Sequence, residues 1–173
     1  MKLFYSTMFV FALVFTSCST SSVQDDESLF ENGAEEVELT LSADETELYD
    51  TVNDYRIENG LNALSYSKEA YKYAKQHTQF MIVEDKISHD NFSDRASNIA
   101  KDTNATHIAE NVAKNYPEVA MALQGWLESD SHKNTIEGDF THTAISIKEN
   151  SEGKLFYTQI FLFHLYLEVK LNC

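Results

Sequence analysis

Trp126-Leu127-Glu128-Ser129-Asp130-Ser131-His132-Lys133-Asn134-Thr135-Ile136 is the stretch on which the fold of this chain turns. An indole, a hydroxyl, an imidazole and an amide recur at short fixed intervals through it. Ser129 and Ser131 flank His132, but neighbours in sequence rarely form a nucleophile–base pair, and the chain has no Gly-x-Ser-x-Gly elbow. Upstream, Val119, Leu123 and Trp126 fall at helical spacing and point inward, and Pro117 suits the first turn of that helix. Downstream, His142 to Lys148 alternates, Asn150-Ser151-Glu152-Gly153 has the composition of a turn, and Leu155 to Phe163 is an apolar-aromatic run.

Towards the N-terminus the pattern is helical. Ser42-x-x-Glu45 can close a capping box ahead of Leu48, Val52 and Tyr55, and Gly60 offers a left-handed stop. Ser67 is a second N-cap, followed by an inner face of Ala70, Ala74, His77 and Met81. Phe92 to Ala100 reads as a shorter helix, and His107 to Ala113 as a short strand-like segment. Helices come first and antiparallel strands last, an α+β order rather than βαβ.

The chain opens with one Lys and an apolar run, Met8 to Phe15, too short for a bilayer core that takes about 20 residues. That run suits a secretory signal. Phe15-Thr16-Ser17-Cys18 resembles a bacterial lipoprotein signal, although Phe15 stands where leucine is usual. Residues 1–18 are therefore expected to be a signal peptide, with Cys18 lipidated and holding the protein to a membrane of the bacterial envelope, at the outer membrane or cell surface. Residues 19–47 hold ten acids and no base, a composition that repels itself and packs poorly. The expected organisation is a flexible acidic tether over 19–45, a domain over 46–163 and a C-terminal extension over 164–173. In that extension Leu165, Leu167 and Val169 alternate with polar or aromatic residues as in a strand.

A net charge of −15 argues against nucleic acid, since phosphate binding needs a basic face. Five scattered glycines exclude a phosphate-binding loop. Cys18 and Cys173 are the only cysteines, so disulfides do not frame the fold. Of the six histidines, His77 reads as a core residue on an inner helix face, and no metal spacing such as His-Glu-x-x-His occurs.

Several short motifs follow in order: Val52-Asn53-Asp54-Tyr55-Arg56 with Leu61-Asn62-Ala63-Leu64; Ile87-Ser88-His89-Asp90; Asp94-Arg95; Ala109-Glu110-Asn111-Val112-Ala113; the Trp126 to Ile136 stretch; and Tyr157-Thr158-Gln159-Ile160-Phe161. Together they resemble the CAP (or SCP) superfamily, which includes cysteine-rich secretory proteins, venom allergens and plant pathogenesis-related proteins, and within it the bacterial branch. The resemblance implies a three-layer α/β/α sandwich with a small antiparallel sheet. It also implies a cleft in which two histidines and two acids often meet. By motif these are His89, Glu110 and His132, while Ser129 occupies the place of the second acid. Glu128 beside it would point about 100° away on a helix.

Two imidazoles and one carboxylate can bind Zn²⁺ with water in an open position. The same trio could equally be a polar network that fixes the fold. Asn111 and Asn134 are candidates for positioning roles, and Asp94-Arg95 for a structural pair. The resemblance implies an envelope-tethered binding module whose cleft takes a divalent metal or a lipid-like, small-molecule or protein ligand. The alternatives are a metal-assisted, protease-like hydrolase and a structural envelope protein.

Overall fold

The computed structural model describes residues 40–165. The signal segment with Cys18, most of the tether, and the tail beyond Leu165 lie outside the described residues. Helix α1, Ala43–Glu58, opens with the expected capping box: the Ser42 hydroxyl accepts from the Glu45 N–H at 3.1 Å, and the Glu45 carboxylate accepts from the Ser42 N–H at 2.9 Å. The helix therefore takes in residues 43–45, which had been assigned to the tether. Glu45 is buried, and its carboxylate also accepts from the Ile147 N–H at 3.0 Å and from the Tyr71 hydroxyl. Gly60, at φ +76°, turns the chain after α1.

Strand β1, Ser65–Tyr66, leads into α2, Lys68–Val83, capped by Ser67 as expected. Then come α3, Phe92–Thr103; β2, His107–Lys114; α4, Val119–Leu127; α5, Asp130–Ile136; β3, His142–Glu149; and β4, Leu155–Phe163. Pro117 lies outside α4, because the cap residue is Glu118 in an extended conformation. His164 and Leu165 follow β4 without strand structure, and the remainder of the strand expected there is not among the described residues.

The four strands form one sheet in the order β1-β3-β4-β2. The expected antiparallel sheet is β2, β4 and β3; β1 adds a two-residue parallel pairing to β3. Side chains alternate across the sheet and so build two cores. Ile145, Ile147, Tyr157 and Phe161 pack with Leu48, Val52, Leu123 and Trp126 from α1 and α4. Ala144, Ile160 and Leu162 pack on the other face with Ala70, Ala74 and Ile99 from α2 and α3. This is the expected α/β/α sandwich. It also explains why the alternation of β3 does not mark a wet face: β3 is an inner strand covered on both sides, and residues 143–147 are all buried.

Arg56 ties the end of α1 to the end of α5. Its side chain is fully buried and donates to the carbonyls of Asn62, Ile136 and Gly138 and to Asn62 Oδ1. Burial holds its pKa below the usual guanidinium value, and the charge of Asp139 works in the opposite direction. A buried cation without a carboxylate in direct contact depends on this carbonyl cage.

Candidate functional site

β2 is an edge strand, and period two sends consecutive residues to opposite layers. Glu110 faces the α2/α3 layer; Asn111 faces the other, where its side-chain amide donates to the His132 carbonyl at 3.1 Å. The Glu-Asn pair therefore holds both helical layers at the free edge of the sheet.

The Glu110 carboxylate is 1% exposed and fully engaged. Arg95 grips it with two nitrogens, Nε to Oε2 and Nη2 to Oε1, both at 2.8 Å. His89 Nδ1 lies 3.0 Å from Oε1, and His77 Nε2 lies 3.6 Å from the same oxygen. Burial pushes the Glu110 pKa up, but the His89 and Arg95 hydrogen bonds outweigh it and hold the group below its ordinary value. His77 is pushed down, chiefly by burial, against the opposing pull of Glu110. It sits 2.6 Å from the Ser88 carbonyl, so Nε2 carries the proton and donates there.

The loop bearing His89 is shaped by two left-handed residues, Asp85 at φ 45° and Asn91 at φ 58°, types that tolerate that region. It is pinned at Ser88 by His77 and at the Asp90 carbonyl by Arg95 Nη1 at 3.1 Å. The Ser88 hydroxyl accepts from the Asp90 N–H at 2.8 Å. His89 is thus presented outward from a rigid base, its side chain 51% exposed.

His132 enters from α5, on the other layer. Its pKa is lowered by burial first and by the charge of His89 second, and its main-chain carbonyl is held by Asn111 at the β2 edge. His132 Nδ1 and Asn111 Oδ1 are buried without a hydrogen-bond partner. Ser129 stands at the N-cap of α5, but its hydroxyl meets Ser131 at 3.2 Å rather than the cleft. Glu128 Oε1 accepts from Gln124. Neither residue supplies a second carboxylate to the site.

Two participants were not assigned from sequence. His77 was read as core and is core, yet it also touches the carboxylate. Arg95, expected to pair with Asp94, instead holds Glu110. A cavity of about 240 Å³ between α2 and α3 shares His77 and Arg95 with this network and is also lined by Tyr73, Phe80, Asn91 and Asn98. The donor set can also be tested against zinc. Among the described residues no group of three or more His, Cys, Asp or Glu is arranged to hold a metal ion. Zn²⁺ could take Glu110 only by displacing Arg95, so the site as it stands does not fit that centre.

An α/β/α sandwich whose edge strand carries a Glu-Asn pair between two histidine-bearing segments defines a class of domain. The model of the cysteine-rich secretory protein family, CAP, matches residues 49–161, and the chain belongs to that family. It is similar to the membrane protein YlbC of Bacillus subtilis (strain 168), 26% identical over 124 residues, which cover 68% of this chain and 34% of that protein. The chain thus spans about a third of that relative. An outer surface protein of Borrelia burgdorferi shares the fold at TM-score 0.64 and 22% identity, over 70% of this chain and 93% of that one. An extracellular SCP-domain protein of Bacillus anthracis matches at TM-score 0.62 and 25% identity, over 70% and 40% of the two chains. The chain is a CAP domain of the bacterial type.

Proposed function

We propose that this protein is a non-catalytic binding module displayed on the outer side of a bacterial envelope, tethered through lipidated Cys18 and the acidic segment after it. The observation that carries the binding reading is the saturation of Glu110. Its oxygens are held by Arg95 and His89 inside the fold, so it is poorly placed to act as a general base, which must reach the proton it abstracts. What the network supplies is a rigid mount for His89 next to a polar-aromatic cavity. Such a surface suits a small polar ligand more than a lipid chain. The apolar run ending at Cys18, and the membrane and outer-surface descriptions of the relatives, support display at the envelope.

Native mass spectrometry of the full-length protein from its envelope fraction tests the binding reading. A small molecule should accompany the wild type and be lost from His89→Ala. Turnover of a peptide or ester panel that Glu110→Gln abolishes would overturn the reading in favour of a hydrolase.

A further inference from the structure

Away from the cleft, where β3 begins and β4 has just ended, two histidines meet. His142 Nδ1 and His164 Nδ1 are 2.9 Å apart, and the rings stand at 86° with centroids 4.4 Å apart. The Thr141 hydroxyl oxygen lies 2.9 Å from His142 Nδ1 and 3.4 Å from His164 Nδ1, closing a triangle. We propose that this triangle is a binding site for a divalent transition-metal ion of the copper or nickel type, with both Nδ1 atoms as ligands and the Thr141 oxygen beside them.

The geometry follows from coordination. Two imidazoles on adjacent corners of a square-planar or tetragonal ion, the geometry of copper(II) and nickel(II), with metal–nitrogen bonds of about 2 Å, hold their nitrogens about 2.9 Å apart and their ring centres about 4.5 Å apart. Both observed separations match. A straight N–H···N bond would instead place each ring directly behind its nitrogen and push the centres beyond about 5 Å. The observed spacing excludes that collinear arrangement and matches two rings that converge on one ion.

The donors are also oversubscribed. The Thr141 hydroxyl donates to the Leu162 carbonyl at 3.2 Å, and its oxygen accepts from the His164 N–H at 3.0 Å. A proton on both Nδ1 atoms would collide. A proton on His142 Nδ1 alone must choose between Thr141 and His164. One cation that takes both lone pairs satisfies both rings, and imidazole suits zinc, copper and nickel.

The support is rigid. β3 and β4 are paired through His142↔Leu162, and Thr141 fastens both segments through the two main-chain bonds just named. Both histidines are half-buried, so an ion can enter while water completes its shell.

The test is Cu²⁺ titration of the full-length protein, followed by calorimetry and electron paramagnetic resonance. One equivalent should bind with nitrogen hyperfine structure from two imidazoles. His142→Ala or His164→Ala should weaken it about tenfold or more and remove one nitrogen. His89→Ala and His132→Ala should leave it unchanged, which separates this site from the cleft. Circular dichroism checks that each variant folds, and His164→Asn, beyond the last strand, serves if His142→Ala does not fold. An unaltered two-nitrogen signal in the folded His164 variants would overturn the proposal. So would wild-type binding that shows only oxygen ligands, as the acidic tether would give.

Discussion

Arg95→Met is the sharpest perturbation of the cleft. It removes the guanidinium that meets both oxygens of Glu110, in a pair whose side chains are 9% and 1% exposed. Removing one partner of a buried pair costs about 3–5 kcal/mol, because the other charge is left uncompensated. His89 and His77 remain within 3.0 and 3.6 Å of Glu110, so the lower end applies, about 3 kcal/mol at neutral pH. For a domain of this size that lowers the unfolding midpoint by about 10 °C. The sign with pH is specific. In the wild type the depressed Glu110 contributes stability above its unfolded pKa of about 4.3, lost as pH falls through the folded value. Without Arg95, burial dominates and raises that pKa. The variant's deficit should then be largest near pH 7 and shrink towards pH 5 as Glu110 takes up a proton. The double variant Arg95→Met/Glu110→Leu should recover most of the loss, since an apolar pair of similar volume leaves no buried charge. Thermal and urea unfolding from pH 5 to 7.5 measure all three. A single-variant cost under about 1 kcal/mol, or a deficit independent of pH, would refute a buried, Arg-held carboxylate.

His77 and His132 both have lowered pKa values, so the native state keeps them neutral while the unfolded chain protonates them below about 6.5. Stability should fall as pH drops from about 6.5, and His77→Gln should flatten that slope in urea titrations. Arg56→Lys should cost about 3 kcal/mol or more despite keeping the charge, because a single ammonium cannot reach the carbonyls of Asn62, Ile136 and Gly138 that the guanidinium spans. Deleting residues 19–39 should move the unfolding midpoint by less than about 2 °C, as expected of a segment rich in acids and without a base. Cys18→Ala should release the protein from the membrane fraction and stop palmitate incorporation; unchanged retention on both measures would remove the lipoprotein anchor.

Elements whose signal is local were legible in the sequence. Ser42 and Ser67 announce two helices by their own side-chain chemistry, and the apolar-aromatic run from Leu155 to Phe163 reads as strand-like. The burial of Glu45 was less so: the capping box places it at the helix start, but its partners Tyr71 and Ile147 lie far along the chain. The cleft divides in the same way. His89, Glu110 and His132 were singled out through motif order, and the structure brings His89 onto Glu110 and the His132 carbonyl onto the neighbouring Asn111. Arg95 was missed because its sequence neighbour, Asp94, offered an equally good pairing. Only the docking of α3 against β2 decides between them.

The adjacency of Glu110 and Asn111 has a mechanical consequence for that edge. An edge strand exposes one row of backbone groups and is held by neighbours on one side only. β2 compensates through side chains. Glu110 reaches into one layer and takes Arg95, His89 and His77; Asn111 reaches into the other and takes the His132 carbonyl. Trp126 adds a third tie, its indole N–H donating to the Val112 carbonyl at 3.0 Å. Glu-Asn and Trp-x-x-Ser-x-x-His are therefore one structural device read in two places. Each supplies an anchor that the other layer lacks, and the positions of His89 and His132 follow from where those anchors end. A substitution at Asn111 should accordingly displace His132 while leaving the His89 mount intact, and a substitution at Arg95 should do the reverse. Separate histidine NMR signals for the two rings would follow those displacements independently. Coupled shifts of both rings in either variant would mean that the layers move as one body and that the edge strand does not insulate them.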